Sequence, residues 1–204
     1  MTDHSGFKAL TKIDMNSKAI EALPAPTLDT EPVRFGDTVT KRFWIPATSF
    51  LIIDSTASFS GRGQSDYYQI VTLDFDPDTA EAGRSGFFIP KDWKKGTAIT
   101  VRVMFYADAI VGAATIYMGY YTLKNETADP TVAPGANKVS TLTVPATAFE
   151  IKVSSLGTFT PADADADSFF AISIRRRADS VNDTLLVDFR FIAIYLEYTA
   201  EVNK

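Results

Sequence analysis

Carboxylates at alternating positions are the first residues in this chain with chemistry to offer. Asp163-Ala164-Asp165-Ala166-Asp167 sets out three hard oxygen ligands at a spacing that suits Ca²⁺. A calcium loop also wants Gly at its sixth position and Glu at its twelfth. Counted from Asp163, those places hold Ser168 and Ile174. The stretch therefore reads as a solvated acidic turn, and no metal site is expected. Asp74, Asp76 and Asp78 form a second alternating set. Two carboxylates held about 5–9 Å apart do the acid–base work of glycosidases, but Asp76-Pro77-Asp78 is an ordinary turn string. Arg175-Arg176-Arg177 is the basic run. On a strand Arg176 points away from the other two, so the three make no common patch. Asp179, Asp183 and Asp188 follow closely, and local ion pairing is the expectation.

The aromatic residues, 12% of the chain, are the other candidates. Tyr67, Tyr68, Tyr106, Tyr117, Tyr120, Tyr121, Trp44 and Trp93 could build a sugar-stacking face, with Tyr67, Trp93 and Tyr121 as the candidate ligand-facing residues. The same residue types also populate cores and protein interfaces. The usual catalytic equipment is thin. Cysteine is absent, which excludes disulfides, thiolate metal sites and a cysteine nucleophile. The single histidine, His4, stands near the N-terminus, which argues against a Ser-His-Asp triad or a histidine metal site. No Gly-rich phosphate loop and no Gly-x-Ser-x-Gly elbow occurs. Asn125-Glu126-Thr127 and Asn182-Asp183-Thr184 match the glycosylation sequon, a pattern short enough to arise by chance. With a net charge of −5 and a pI near 4.9, nucleic acid is not an expected partner. The expectation is a protein without catalysis or cofactor.

The elements that must position these residues are strands. A length of 204 residues predicts one domain, or one domain with an arm. Residues 1–39 are rich in turn formers and read as an extended N-terminal arm, whereas 40–204 read as a folded β domain. Short apolar runs separated by Gly, Pro, Asp and Asn predict strands around 42–45, 50–53, 68–75, 86–89, 98–107, 114–122, 139–144, 149–153, 168–176 and 185–198. Ile99, Val101, Val103, Phe105 and Ala107 share one face of the clearest of these, and 114–122 is expected to pair with it. In 185–198, Phe189, Phe191, Ala193 and Tyr195 share one face, and Ile192, Ile194 and Leu196 the other. Two apolar faces predict a central strand or one covered by a neighbouring subunit. Helical periodicity is weak; single turns are expected at most at 17–23 and 79–83. The pattern predicts an all-β antiparallel two-sheet sandwich, a jelly roll in the first instance, with an immunoglobulin-like sandwich as the alternative. The longest uncharged apolar-rich stretch, 109–123, is too short for a spanning helix, and no secretory signal is visible, so membrane insertion is not expected.

Two stretches resemble a known family. Lys12-Ile13, Ile20, Leu23-Pro24-Ala25-Pro26-Thr27, Asp29, Pro32-Val33-Arg34 and Asp37 resemble the attachment segments of bacteriophage head- and tail-fibre proteins. The remainder is similar to phage virion jelly-roll domains. The residues concerned are Trp44, Pro46 and Ala47; Leu73-Asp74-Phe75-Asp76; Ile89-Pro90; Ile174-Arg175-Arg176; and Phe191 to Tyr198. The resemblance implies a structural virion protein, a fibre or capsid decoration, commonly a homotrimer. Ile13, Ile20, Leu23, Pro24, Pro26 and Val33 would then be the attachment residues, with capsid, neck or tail proteins as partners and a host-surface glycan as a further one. The alternative reading is a carbohydrate- or receptor-binding β-sandwich module.

Overall fold

Alternating apolar residues become eleven strands among the described residues of the computed structural model, which are 38–53, 57–65, 68–123, 136–161 and 168–202. They are β1 (Thr38–Pro46), β2 (Leu51–Ile52), β3 (Ser58–Ser65), β4 (Tyr68–Phe75), β5 (Ala82–Phe88), β6 (Ile99–Tyr106), β7 (Ala113–Leu123), β8 (Ala136–Thr143), β9 (Lys152–Phe159), β10 (Phe169–Arg176) and β11 (Phe189–Glu201). All pairings are antiparallel. One sheet runs β3-β4-β11-β6-β9, and β1 also pairs with β11. The other runs β2-β5-β10-β7-β8. From β4 onward, sheet neighbours are β4, β11, β6, β9 in one layer and β5, β10, β7, β8 in the other, which is the strand order of a jelly roll. The fold class is as expected. Ile13, Ile20, Leu23, Pro24, Pro26 and Val33, expected to serve in attachment, lie outside the described residues, as do Asp163, Asp165 and Asp167.

Several local expectations are corrected. β7 does not pair with β6; it lies in the opposite sheet between β10 and β8. The loop of residues 107–112 crosses between layers instead of closing a hairpin. The run 149–153 is mostly loop, and the strand follows it as β9. β3, the polar stretch Ser-Phe-Ser-Gly-Arg-Gly-Gln-Ser, was not anticipated because an edge strand needs no apolar alternation. Residues 77–79 form a bend, and β5 starts at Ala82, in place of a helical turn at 79–83.

The two apolar faces of β11 have a specific cause. Its register against β6 slips between Phe191 and Ala193, a β-bulge that inserts Ile192. A one-residue slip exchanges the faces of everything beyond it. Phe189 and Phe191 therefore point into the core, and so do Ile194, Leu196, Tyr198 and Ala200. Ala193 and Tyr195 lie on the outer side with Glu197. No second subunit is needed to cover the strand. A second bulge at β9 sets Gly157 at φ +133, a backbone conformation that favours glycine.

Rings fill the space between the layers. Phe105 stacks on Phe189 at 4.6 Å, Phe159 on Phe170 at 5.0 Å, and Phe50 meets Phe191 edge-on at 5.0 Å. Such pairs add about 0.5–1.5 kcal/mol each to the burial of their area. One charged group joins this core. Arg176 is fully buried and its five donors meet five acceptors: both oxygens of Asp183 and the carbonyls of Phe75, Leu185 and Val187. Asp183 also accepts from the Thr115 amide at 2.9 Å. This cluster fastens the 177–188 loop to β4 and β7. The expected local pairing of the arginine run is present here, and again in Arg177 with Asp179 at 2.9 Å.

Candidate functional site

The outer face of the sheet containing β11 brings together the residues best suited to meet a ligand. β1 lies beside the second half of β11, and β6 lies on the other side. The register opposes Arg42, Glu197 and Thr100 in one row and Trp44, Tyr195 and Arg102 in the next. At about 4.8 Å between strands, each row spans about 10 Å. Trp44 is 47% exposed. Its ring packs on Tyr195 with centroids 4.4 Å apart, tilted by 41°. Tyr195 is buried beneath it and acts as a floor. The guanidinium of Arg42 sits 5.2 Å from the Tyr195 ring centroid, a cation–π distance. Arg42 Nε donates to Glu197 Oε2 at 3.2 Å, and Arg102 Nη2 lies 3.6 Å from Glu197 Oε1. One carboxylate thus holds two guanidinium groups beside a fixed, upturned indole. Thr100 and Thr158 continue the row with hydroxyls 3.2 Å apart.

The bulge explains why this arrangement forms. With Ile192 in a regular place in the pairing and no bulge, Tyr195 would face the core and Trp44 would stand alone. Tyr195, Arg42, Glu197 and Arg102 were not singled out from sequence. The signal present in the sequence is the parity of β1, which puts Arg42 and Trp44 on one side.

The remaining candidates are dispersed. Trp93, expected to face a ligand, is 1% exposed and lies in the core. It follows Pro90 and bridges to Ala200 at the end of β11, so the tight chain reversal after β5 drives its ring inward. Tyr67 lies outside the described residues. Tyr121 is in β7, where the structure describes only its backbone. Tyr120 stacks inward on Phe159 and Phe170. Tyr106 is buried beneath Arg190, whose guanidinium lies 5.8 Å from its ring.

The carboxylates are engaged in structure. Asp74 is buried and accepts hydrogen bonds from Ser60 at 2.5 Å and Thr72 at 2.6 Å. Arg190 stands 3.6 Å from it and donates to Asp108 at 3.1 Å. Asp76 accepts from the amides of Asp78 and Thr79, the turn expected of that string. Burial, together with the nearby charges of Asp74 and Asp76, raises the carboxyl of Asp188 above its ordinary range, against the pull of Arg190. No group of three or more His, Cys, Asp or Glu among the described residues is arranged to hold a metal ion.

No family model matches this chain, and no curated protein matches it. Solved structures with a similar overall form include a CBM35 module from Cellvibrio japonicus, at 4% identity over 80% of this chain and 99% of that one, with a TM-score of 0.49. They also include the mosquito-larvicidal Cry4Aa toxin of Bacillus thuringiensis, at 10% identity over 80% of this chain and 24% of that one, with a TM-score of 0.47. A third is the CBM22-1 xylan-binding domain from Paenibacillus barcinonensis, at 8% identity over 84% of this chain and 99% of that one, with a TM-score of 0.41.

Proposed function

We propose that this chain is a non-catalytic binding module whose Trp44 platform takes a saccharide. The observation that carries the reading is the state of Trp44: an indole packed from below on Tyr195, yet half open to solvent on the outer face of the sheet. An aromatic face packs well against the C–H face of a sugar ring, and burying it there removes apolar surface from water. Glu197 accepts hydrogen bonds, and Arg42 and Arg102 donate them, around the same ring. Adjacent sugar hydroxyls need both kinds of partner. Pre-fixing these groups lowers the ordering cost of binding.

Replacing Trp44 by Ala tests this directly. A glycan array followed by titration of the best hit should show binding weakened about tenfold or more in the variant, with the melting transition preserved. Failure of the wild-type protein to retain any glycan, or equal binding by the variant, would overturn the reading. The resemblance of residues 12–37 to phage attachment segments supports placing such a module on a virion. Probing purified phage particles for this chain tests that placement.

A further inference from the structure

Four loops meet at the end of the sandwich where β11 begins: 76–81, 107–112, 144–151 and 177–188. Backbone hydrogen bonds join three of them. Val144 donates to Gly112 at 3.1 Å, Phe149 to Ala107 at 3.0 Å, and Thr184 and Leu185 both to Ala113. The Arg176 cluster fixes the 177–188 loop from below. These are built loops, yet they hold large aliphatic side chains out in solvent. Val181 is 93% exposed, Leu186 88% and Val111 75%, and Ile110 is exposed beside them. Exposed apolar groups gathered on one end of a domain mark a docking surface. The same four loops contain eight acidic residues and one cation, Arg177. Glu81 and the Asp183 side chain are buried, Asp179 pairs with Arg177 and Asp108 with Arg190, so Asp76, Asp78, Glu150 and Asp188 give the surface its negative sign. The surface is therefore apolar and acidic, and the partner it fits is apolar and basic.

The chain carries such a partner. Residues 7–20 hold Phe7, Leu10, Ile13, Met15 and Ile20, with Lys8, Lys12 and Lys18 against one acid, Asp14. We propose that residues 7–20 of one copy dock on the acidic loop end of a second copy, giving a head-to-tail assembly. The polarity of the fold favours exchange between copies. The chain enters β1 at Thr38, opposite Glu201, the far end of β11 from these loops. That end is about 40 Å away at the rise of a strand. Residues 21–37 can bridge at most about 60 Å. To reach its own loops the segment must reverse direction before Thr38, whereas the loops of a copy lying beyond that end can be reached without a reversal. A contact between two different patches closes into a ring or continues as a filament.

Two full-length variants test this in one experiment. Val181→Asp with Leu186→Asp alters only exposed side chains and disables the loop end. Lys8→Glu with Lys12→Glu and Lys18→Glu disables the segment. By light scattering the wild-type chain should exceed its 22.3 kDa monomer mass, and each variant alone should fall to it. Mixing the two should restore a complex of twice that mass, because one supplies the segment and the other the surface. A wild-type monomer overturns the proposal, whether its loops are empty or covered by its own segment. So does an assembly indifferent to either variant, or a mixture that stays monomeric. Melting curves matching wild type confirm that the loss reflects docking and not unfolding.

Discussion

Arg176 and Arg42 make the same chemical pair with an acidic side chain in opposite surroundings. Arg176 and Asp183 are 0% and 2% exposed, and every donor of the guanidinium is used. Arg42 and Glu197 lie on the sheet surface, and Glu197 is shared with Arg102 at a longer distance. Removing either partner of a buried pair strands a charge in a low-dielectric interior. At the surface, water replaces a missing partner at little cost. The inner pair belongs to the architecture of the loop end. The outer one stays open to solvent, where the proposed saccharide would meet it.

The largest effect should come from breaking the inner pair. Arg176→Ala leaves Asp183 buried and uncompensated and should cost about 3–5 kcal/mol, read as a lowered denaturant midpoint. Arg176→Met with Asp183→Leu removes both charges and should recover much of that loss, which separates an unpaired charge from a packing defect. Gly112→Ala strikes the same loop end more gently. Gly112 has φ +108, and an added Cβ would come within 2.9 Å of the Thr184 carbonyl oxygen. A loss of about 1–3 kcal/mol by the same measurement is expected.

These two regions were unequally legible in the sequence. Alternation alone located most strands, because Ile99 to Ala107 and Phe170 to Ile174 bury every second residue. The pairing of Arg176 with a downstream aspartate was also readable, since charges so near in sequence meet across one loop. The Trp44–Tyr195 platform was not. It depends on the bulge at Ile192, and a bulge leaves no mark in a period-two pattern except the puzzle of two apolar faces. The layer to which β7 belongs was equally hidden. Adjacent strands joined by a short loop suggest a hairpin, and only the packing of both sheets decides that the chain crosses over instead. Trp93 was a candidate by residue type alone, and residue type does not show that the turn at Pro90 to Trp93 drives the ring inward among Lys91, Lys94 and Lys95.

A third ionic cluster, about as exposed as the Arg42–Glu197 pair, sits at the end opposite the acidic loops. Asp92 accepts from Lys41 at 2.5 Å and from the Tyr198 hydroxyl at 3.1 Å. Burial alone would raise the Asp92 carboxyl, but these two hydrogen bonds outweigh it and hold it below the usual range. Tyr198 moves the other way: burial first, then the adjacent charge of Asp92, pushes its hydroxyl up to about 12. An unfolded tyrosine ionises near pH 10. Between about pH 10 and 12 the unfolded chain therefore releases a proton that the folded one retains, and stability falls as pH rises through that window. Tyr198→Phe should flatten that slope in midpoints measured against pH. An unchanged slope would assign the alkaline loss to other groups.

The smallest stability effect is predicted at the surface pair, beside the proposed Trp44 platform. Glu197→Gln keeps the shape of the side chain and one acceptor while removing the charge shared by Arg42 and Arg102. Because that cluster is solvent-accessible, the denaturant midpoint should move by less than about 1 kcal/mol. The amide is a weaker partner for two guanidinium groups, so both gain freedom and the rim of the Trp44 platform loses its fixed geometry. Glycan affinity should therefore fall while stability holds, the reverse of the behaviour expected at the buried pair. If Glu197→Gln instead unfolds the protein as readily as Arg176→Ala, the surface cluster is part of the scaffold, and the division of labour between the two pairs fails.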